Sequence, residues 1–185
     1  MNIIICRARE VIDQIAEHNV SAVLSIEHPG AQDGKGRAPR LHNIAQSILC
    51  FWDIEKEDIP DGPHLSHIKD AFAFLDQHSD ENVIIHCNAG KARSVGIALA
   101  YLVSDLGDIN AAIERIKAIR PIAAPNLALI KIADRFLELD GALTKAVLAD
   151  PLFTQNRERA EKARQRQIDN QEFDNAPEKK GPEIK

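Results

Sequence analysis

The stretch Val83-Ile84-Ile85-His86-Cys87-Asn88-Ala89-Gly90-Lys91-Ala92-Arg93-Ser94 decides how this chain is read. It is followed by Val95-Gly96-Ile97-Ala98-Leu99-Ala100-Tyr101-Leu102-Val103. The apolar run from Asn82 to His86 predicts a buried strand, and the run that opens near Arg93 predicts a helix. Between them lies a short loop that begins with a cysteine and ends on Arg-Ser. Such a strand–loop–helix is an oxyanion trap. Gly90 lets the loop curl until successive backbone N–H groups point inward. The helix start adds unpaired amides and the positive end of its dipole. Arg93 brings a planar fork that matches two phosphate oxygens. Cys87 then stands as a nucleophile aimed at the phosphorus of whatever the loop holds, which is covalent catalysis.

Outward from this stretch, short apolar runs alternate with helical patterns, which predicts an α/β fold with a mainly parallel central sheet flanked by helices. Strands are expected at Ile3–Ile5, Val20–Ile26, Ser47–Trp52 and Asn82–His86. Helical spacing falls on Val11, Ile12 and Ile15, on Leu65, Ile68, Phe72 and Leu75 up to His78, and on Leu127 to Ala133. Residues 27–41 read as a glycine- and proline-containing loop with basic Lys35, Arg37 and Arg40, and residues 53–63 read as an acidic loop. From Gln155 to Lys185 the chain holds eight Lys/Arg, seven Asp/Glu and six hydrophobic residues in 31. The expected division is therefore a catalytic domain over 1–154 and a charged tail over 155–185. Within the tail, residues 157–166 favour a solvated helix without an apolar stripe, and the end around 175–182 favours disorder.

The whole chain of 185 residues is 44% hydrophobic and carries a net charge of −5, enough for one ordinary core. The acidic balance argues against a nucleic-acid partner of the basic-patch kind. No apolar run approaches the length of a membrane span. Three cysteines do not form a disulfide framework, and a reducing, cytoplasmic compartment is expected. Neither a metal nor an organic cofactor is expected, because no second His or carboxylate sits at ligand spacing from His86.

His-Cys-x-x-Gly-x-x-Arg-Ser over residues 86–94 resembles the signature of cysteine-dependent protein tyrosine phosphatases, and the Asn88-Ala89-Gly90 filling resembles its dual-specificity branch. The run Arg120-Pro121-Ile122-Ala123-Ala124-Pro125-Asn126 is similar to the small bacterial tyrosine phosphatase family proteins, and the likeness covers roughly residues 1–150. The resemblance implies a phosphatase-like fold and hydrolysis of a phosphomonoester through a phosphocysteine. Asn88, Ala89, Gly90, Lys91, Ala92 and Arg93 would then hold the phosphoryl group.

Further roles follow from the same resemblance. Ser94 would hydrogen-bond the Cys87 sulfur and help it leave. His86 would orient the loop. Asn126 would brace the loop, although its position equally suits a plain N-cap. The general acid would be an aspartate on the loop after the third strand. Asp53 occupies that place after Phe51-Trp52, without the Trp-Pro-Asp order, and Asp58 and Asp61 stay as rivals. Substrates consistent with this reading are a phosphoprotein, a phosphoinositide or an inositol phosphate. A binding module that captures phosphorylated partners without turnover is the alternative.

Overall fold

A computed structural model describes residues 1–31, 37–57 and 59–174, the stretch 163–174 as backbone only. Lys35 and Asp58 lie outside the described residues. One sheet holds β1 (Asn2–Arg7), β2 (Ala22–Glu27), β3 (Ala45–Cys50) and β4 (Asn82–Cys87). All its pairings are parallel, in the order β1-β4-β2-β3. Helices α1 (Val11–His18), α2 (Leu65–Gln77), α3 (Arg93–Leu106), α4 (Ile109–Ile119), α5 (Leu127–Phe136), α6 (Ala142–Ala149) and α7 (Pro151–Asp174) flank it. The α/β architecture is the one the sequence predicts.

Central β4 is buried from Val83 to Cys87, as a parallel strand covered on both faces must be. One face meets the main core, where Ile3, Leu24 and Ile85 pack with Leu99 and Leu129. The other meets a smaller cluster of Cys6, Val23 and Ile84 with Val11 of α1. Helix α3 is buried at every residue from Arg93 to Val103, so it is apolar all round instead of striped. Gly96 permits its close approach to α5, because a Cβ there would stand 3.1 Å from Leu129. The loop after β4 therefore sits at the carboxyl edge of a parallel sheet, where α/β folds place their ligands. The end of β1 lies on one side of it and the ends of β2 and β3 on the other.

Three departures from the sequence reading have physical causes. β3 spans 45–50 and not 47–52. Phe51 is apolar because its ring stacks on His67, at 4.5 Å, and beneath the Arg93 guanidinium, at 5.9 Å; its burial reports tertiary packing. Helix α6 was not anticipated. Its start is capped from another helix, the buried Asp134 carboxylate accepting from the Gly141 and Thr144 amides at 3.2 and 2.7 Å. Helix α7 begins at Pro151, so the compositional change at 154/155 falls inside it. Its first turns are docked: Phe153 is fully buried, and the buried Asn156 amide donates to the Pro121 and Ala123 carbonyls, both at 2.9 Å.

Candidate active site

The backbone of the loop after β4 is turned by its neighbours. The carbonyl oxygens of Asn88, Gly90, Lys91 and Ala92 all accept hydrogen bonds from outside the loop. Their donors are the Ala8 amide (3.4 Å), the Arg120 Nε (2.9 Å), the Ala124 amide (2.8 Å), and the Gly96 and Asn126 amides (2.8 and 3.3 Å). Carbonyls held outward leave the peptide N–H groups to face the loop's own centre, the geometry of an anion nest. Gly90 has φ +61°, and a Cβ on it would lie 2.3 Å from the Cys6 carbonyl oxygen. Any other residue would push the loop off β1.

Cys87 is buried at the strand end, with its sulfur 3.3 Å from Ser94 Oγ. Arg93 is only 4% exposed. One terminal nitrogen of its guanidinium donates to the carbonyls of Glu27 and Phe51, at 3.0 and 2.8 Å. Its Nε is buried and has no partner among the described residues. Half of the fork is thus anchored to the ends of β2 and β3, and the other edge is left for a ligand. A buried cation with an unpaired donor is costly unless an anion completes it.

Asp53 accepts from the Asn126 amide at 3.0 Å, and the same Nδ2 donates to the Ile54 carbonyl at 3.0 Å. Asn126 Oδ1 meanwhile accepts from the Leu129 amide at 3.1 Å, capping α5. Asn126 therefore serves as both brace and N-cap, and it joins the acidic loop to the loop after β4. Asp61 differs from Asp53. Its carbonyl closes the base of the acidic loop by accepting from the Trp52 amide at 2.7 Å, and its side chain is exposed.

His86 is fully buried, its Nε2 2.8 Å from Ser25 Oγ, which accepts from Gln46 at 2.9 Å. Burial pushes His86 down to about 4; contact with the Cys87 backbone opposes this and the Arg93 charge adds to it. Gln46 continues to the Pro39 carbonyl and the Leu41 amide, so a polar chain links the 37–42 segment to the strand beneath Cys87. In that segment Arg40 aims its fork at Glu27, at 2.9 and 3.1 Å. The Glu27 carboxyl lies below its usual range. Burial alone would raise it, and the bonds from Arg40 and the Ala38 amide outweigh that effect. Among the described residues no three His, Cys, Asp or Glu side chains gather as a metal-binding group. A larger hollow of about 660 Å³ between α5 and α6 shares no lining residue with this loop and is lined by no cysteine.

Sequence reading missed Arg120 as a loop anchor, although Arg120-Pro121 stands within the quoted motif. It also missed Ser25 and Gln46, which carry no local signal.

Residues 4–133 match the family described as dual specificity phosphatase, catalytic domain. The chain belongs to that family. It is 32% identical over 118 residues to dual specificity protein phosphatase 22-B of Danio rerio, covering 62% of this chain and 57% of the relative. To dual specificity protein phosphatase 22 of Xenopus tropicalis it is 32% identical over 133 residues, covering 70% and 57%. The chain thus spans little more than half the length of these relatives. Among solved structures, human DUSP28 superposes with a TM-score of 0.59 at 20% identity, covering 76% of this chain and 94% of that one. DUSP15 superposes with a TM-score of 0.56 at 25% identity, covering 85% and 92%. The two superpositions show a shared fold.

Proposed function

We propose that this protein hydrolyses phosphomonoesters of the protein tyrosine and dual-specificity type through a phosphocysteine. The reading rests on the half-anchored Arg93 fork facing a loop whose carbonyls are turned outward around the Cys87 sulfur. In the first step Cys87 Sγ bonds to phosphorus as the ester oxygen leaves with a proton from Asp53. The Arg93 fork and the loop amides hold the three phosphoryl oxygens, where charge gathers in the transition state. In the second step Asp53 takes a proton from water, whose oxygen attacks phosphorus and expels the cysteine sulfur. Ser94 Oγ, at 3.3 Å, donates to that sulfur as it regains its charge. Asn126 positions Asp53, and neutral His86 fixes the strand end without taking a proton at physiological pH. A cytoplasmic compartment would keep the thiol reduced.

The decisive experiment is hydrolysis of an aryl phosphate by the wild type and by Cys87→Ser. The variant is expected to lose turnover, retain its melting temperature and still bind orthovanadate or phosphate. Turnover near that of the wild type removes Cys87 as nucleophile. A wild type that binds phosphate and turns nothing over is the capture module instead.

A further inference from the structure

Beside the phosphate-binding loop lies a second hollow of about 370 Å³, lined by Arg7, Arg9, Asn88, Ala89 and Lys91. Two segments distant in sequence build it. Arg7 ends β1 in register with Cys87, and the turn Ala8–Glu10 rests on the loop through the Ala8 amide and Asn88 carbonyl. That approach is open only because Gly90 lacks a side chain. Arg120 holds the Gly90 carbonyl of the same loop.

The nearby acid is Glu10. Its carboxylate accepts from the Arg7 amide at 3.0 Å and stands 3.8 Å from Arg7 Nε and 4.0 Å from Arg120. Arg9 and Lys91 have no acid within ion-pair distance among the described residues. The neighbourhood is therefore net cationic beside the anion nest of the loop, and Arg forks are shaped for phosphate.

We propose that this hollow is a second phosphate subsite and that the substrate is a compact polyol carrying two or more phosphates, such as a phosphorylated inositol. The proposal deepens the phosphatase reading and rests on it for the scissile position. Asn88, Ala89 and Lys91 belong at once to the loop that grips the first phosphate and to the wall of the hollow. The two anions must therefore sit close together, as on neighbouring carbons of one ring. Phosphates on separate side chains of a peptide are held further apart on flexible tethers. A soluble inositol phosphate and a lipid headgroup share this chemistry.

The test measures binding by calorimetry to the Cys87→Ser protein, with and without Arg7→Gln and Arg9→Gln. The probes are an inositol monophosphate, a vicinal inositol bisphosphate, and a peptide phosphorylated on both Thr and Tyr. The bisphosphate is expected to bind about tenfold or more tightly than the monophosphate, the effect of at least one charge-assisted bond. That advantage should fall to within about twofold in the double-arginine variant. With Cys87 intact, the double-arginine variant should still hydrolyse p-nitrophenyl phosphate at the wild-type rate, which shows that the loop is undisturbed.

Equal binding of mono- and bisphosphate overturns the subsite, as does an advantage that survives both arginine substitutions. A preference shown only for the doubly phosphorylated peptide overturns the polyol class. Phosphatidylinositol bisphosphate in phosphatidylcholine vesicles assigns the source: binding confined to vesicles indicates the lipid headgroup, and equal binding of the soluble form indicates the free polyol. If wild-type protein turns over no phosphomonoester yet the arginine-dependent preference is present, the catalytic reading fails and the subsite stands.

Discussion

The two flanks of the loop after β4 are built on opposite plans. On the β2–β3 flank the polar side chains around the loop are held by neighbours: Arg93 by two carbonyls, Arg40 by Glu27, Asp53 by Asn126, His86 by Ser25. On the β1 flank Arg7, Arg9 and Lys91 line an open hollow with Glu10 as the acid at hand. Pairing fixes side chains in one geometry, which chemistry requires to fractions of an ångström. Open charge leaves them to meet an anion from solution, which binding requires. The segment 120–126 serves both flanks, since Arg120 holds the Gly90 carbonyl and Asn126 holds Asp53.

The comparison breaks first at Asp53. Asp53→Asn keeps size and removes the transferable proton, so kcat should fall by about 10²–10⁴-fold. The loss should be large for a tyrosyl or alkyl leaving group and small for an activated phenol. If Asp61→Asn shows that leaving-group dependence and Asp53→Asn does not, the general acid lies elsewhere on the loop.

Asn126→Ala asks whether the paired flank works through position. The acid survives, so the leaving-group dependence should persist while kcat drops by about 10–10²-fold. Loss of the cap should cost about 1 kcal/mol in urea denaturation. A kcat equal to that of the wild type would reduce Asn126 to a cap alone.

Truncation tests the shared segment. Removing residues 151–185 takes away Phe153 and Asn156 and should cost about 3–5 kcal/mol. Removing 157–185 leaves both in place and should move Tm by no more than a few degrees. Similar losses from the two truncations would show that docking extends along α7.

The most gradual effect is a pH dependence. Folded His86 binds its proton at about 4, against about 6.5 in an unfolded chain. The folded value is the lower, so between the two the unfolded chain holds more protons. Stability from this group is full above about 6.5 and declines as pH falls towards 4, by up to about 3 kcal/mol. In His86→Gln that decline should flatten; a denaturation profile unchanged from wild type over this range would exclude His86 as its source.

What could be read from sequence follows the range of the interactions. The β4–loop–α3 unit was legible because strand, glycine, arginine and helix are consecutive. Asn126 was legible as a cap and as a brace, but its grip on Asp53 spans 73 positions and leaves no local pattern. Phe51 misled by two residues because its apolar character answers to His67 and Arg93 and not to strand pairing. Asn156 looked like part of a charged tail because composition counts polarity and ignores where an amide finds carbonyls. The hollow on the β1 flank was invisible for the same reason: Arg7 and Lys91 are 84 positions apart in sequence.

That same distance governs how the protein comes into being. Strand β1 pairs with β4 some 80 residues further along the chain, a long chain closure that is slow to form. Until β1 arrives, Gly90 has no Cys6 carbonyl to lie against and the Asn88 carbonyl has no Ala8 amide. The loop after β4 is thus finished by the docking of β1. In refolding experiments the return of activity should coincide with the slowest phase, after helical signal has recovered. Recovery of activity with the fast helical phase would show that the loop closes without β1.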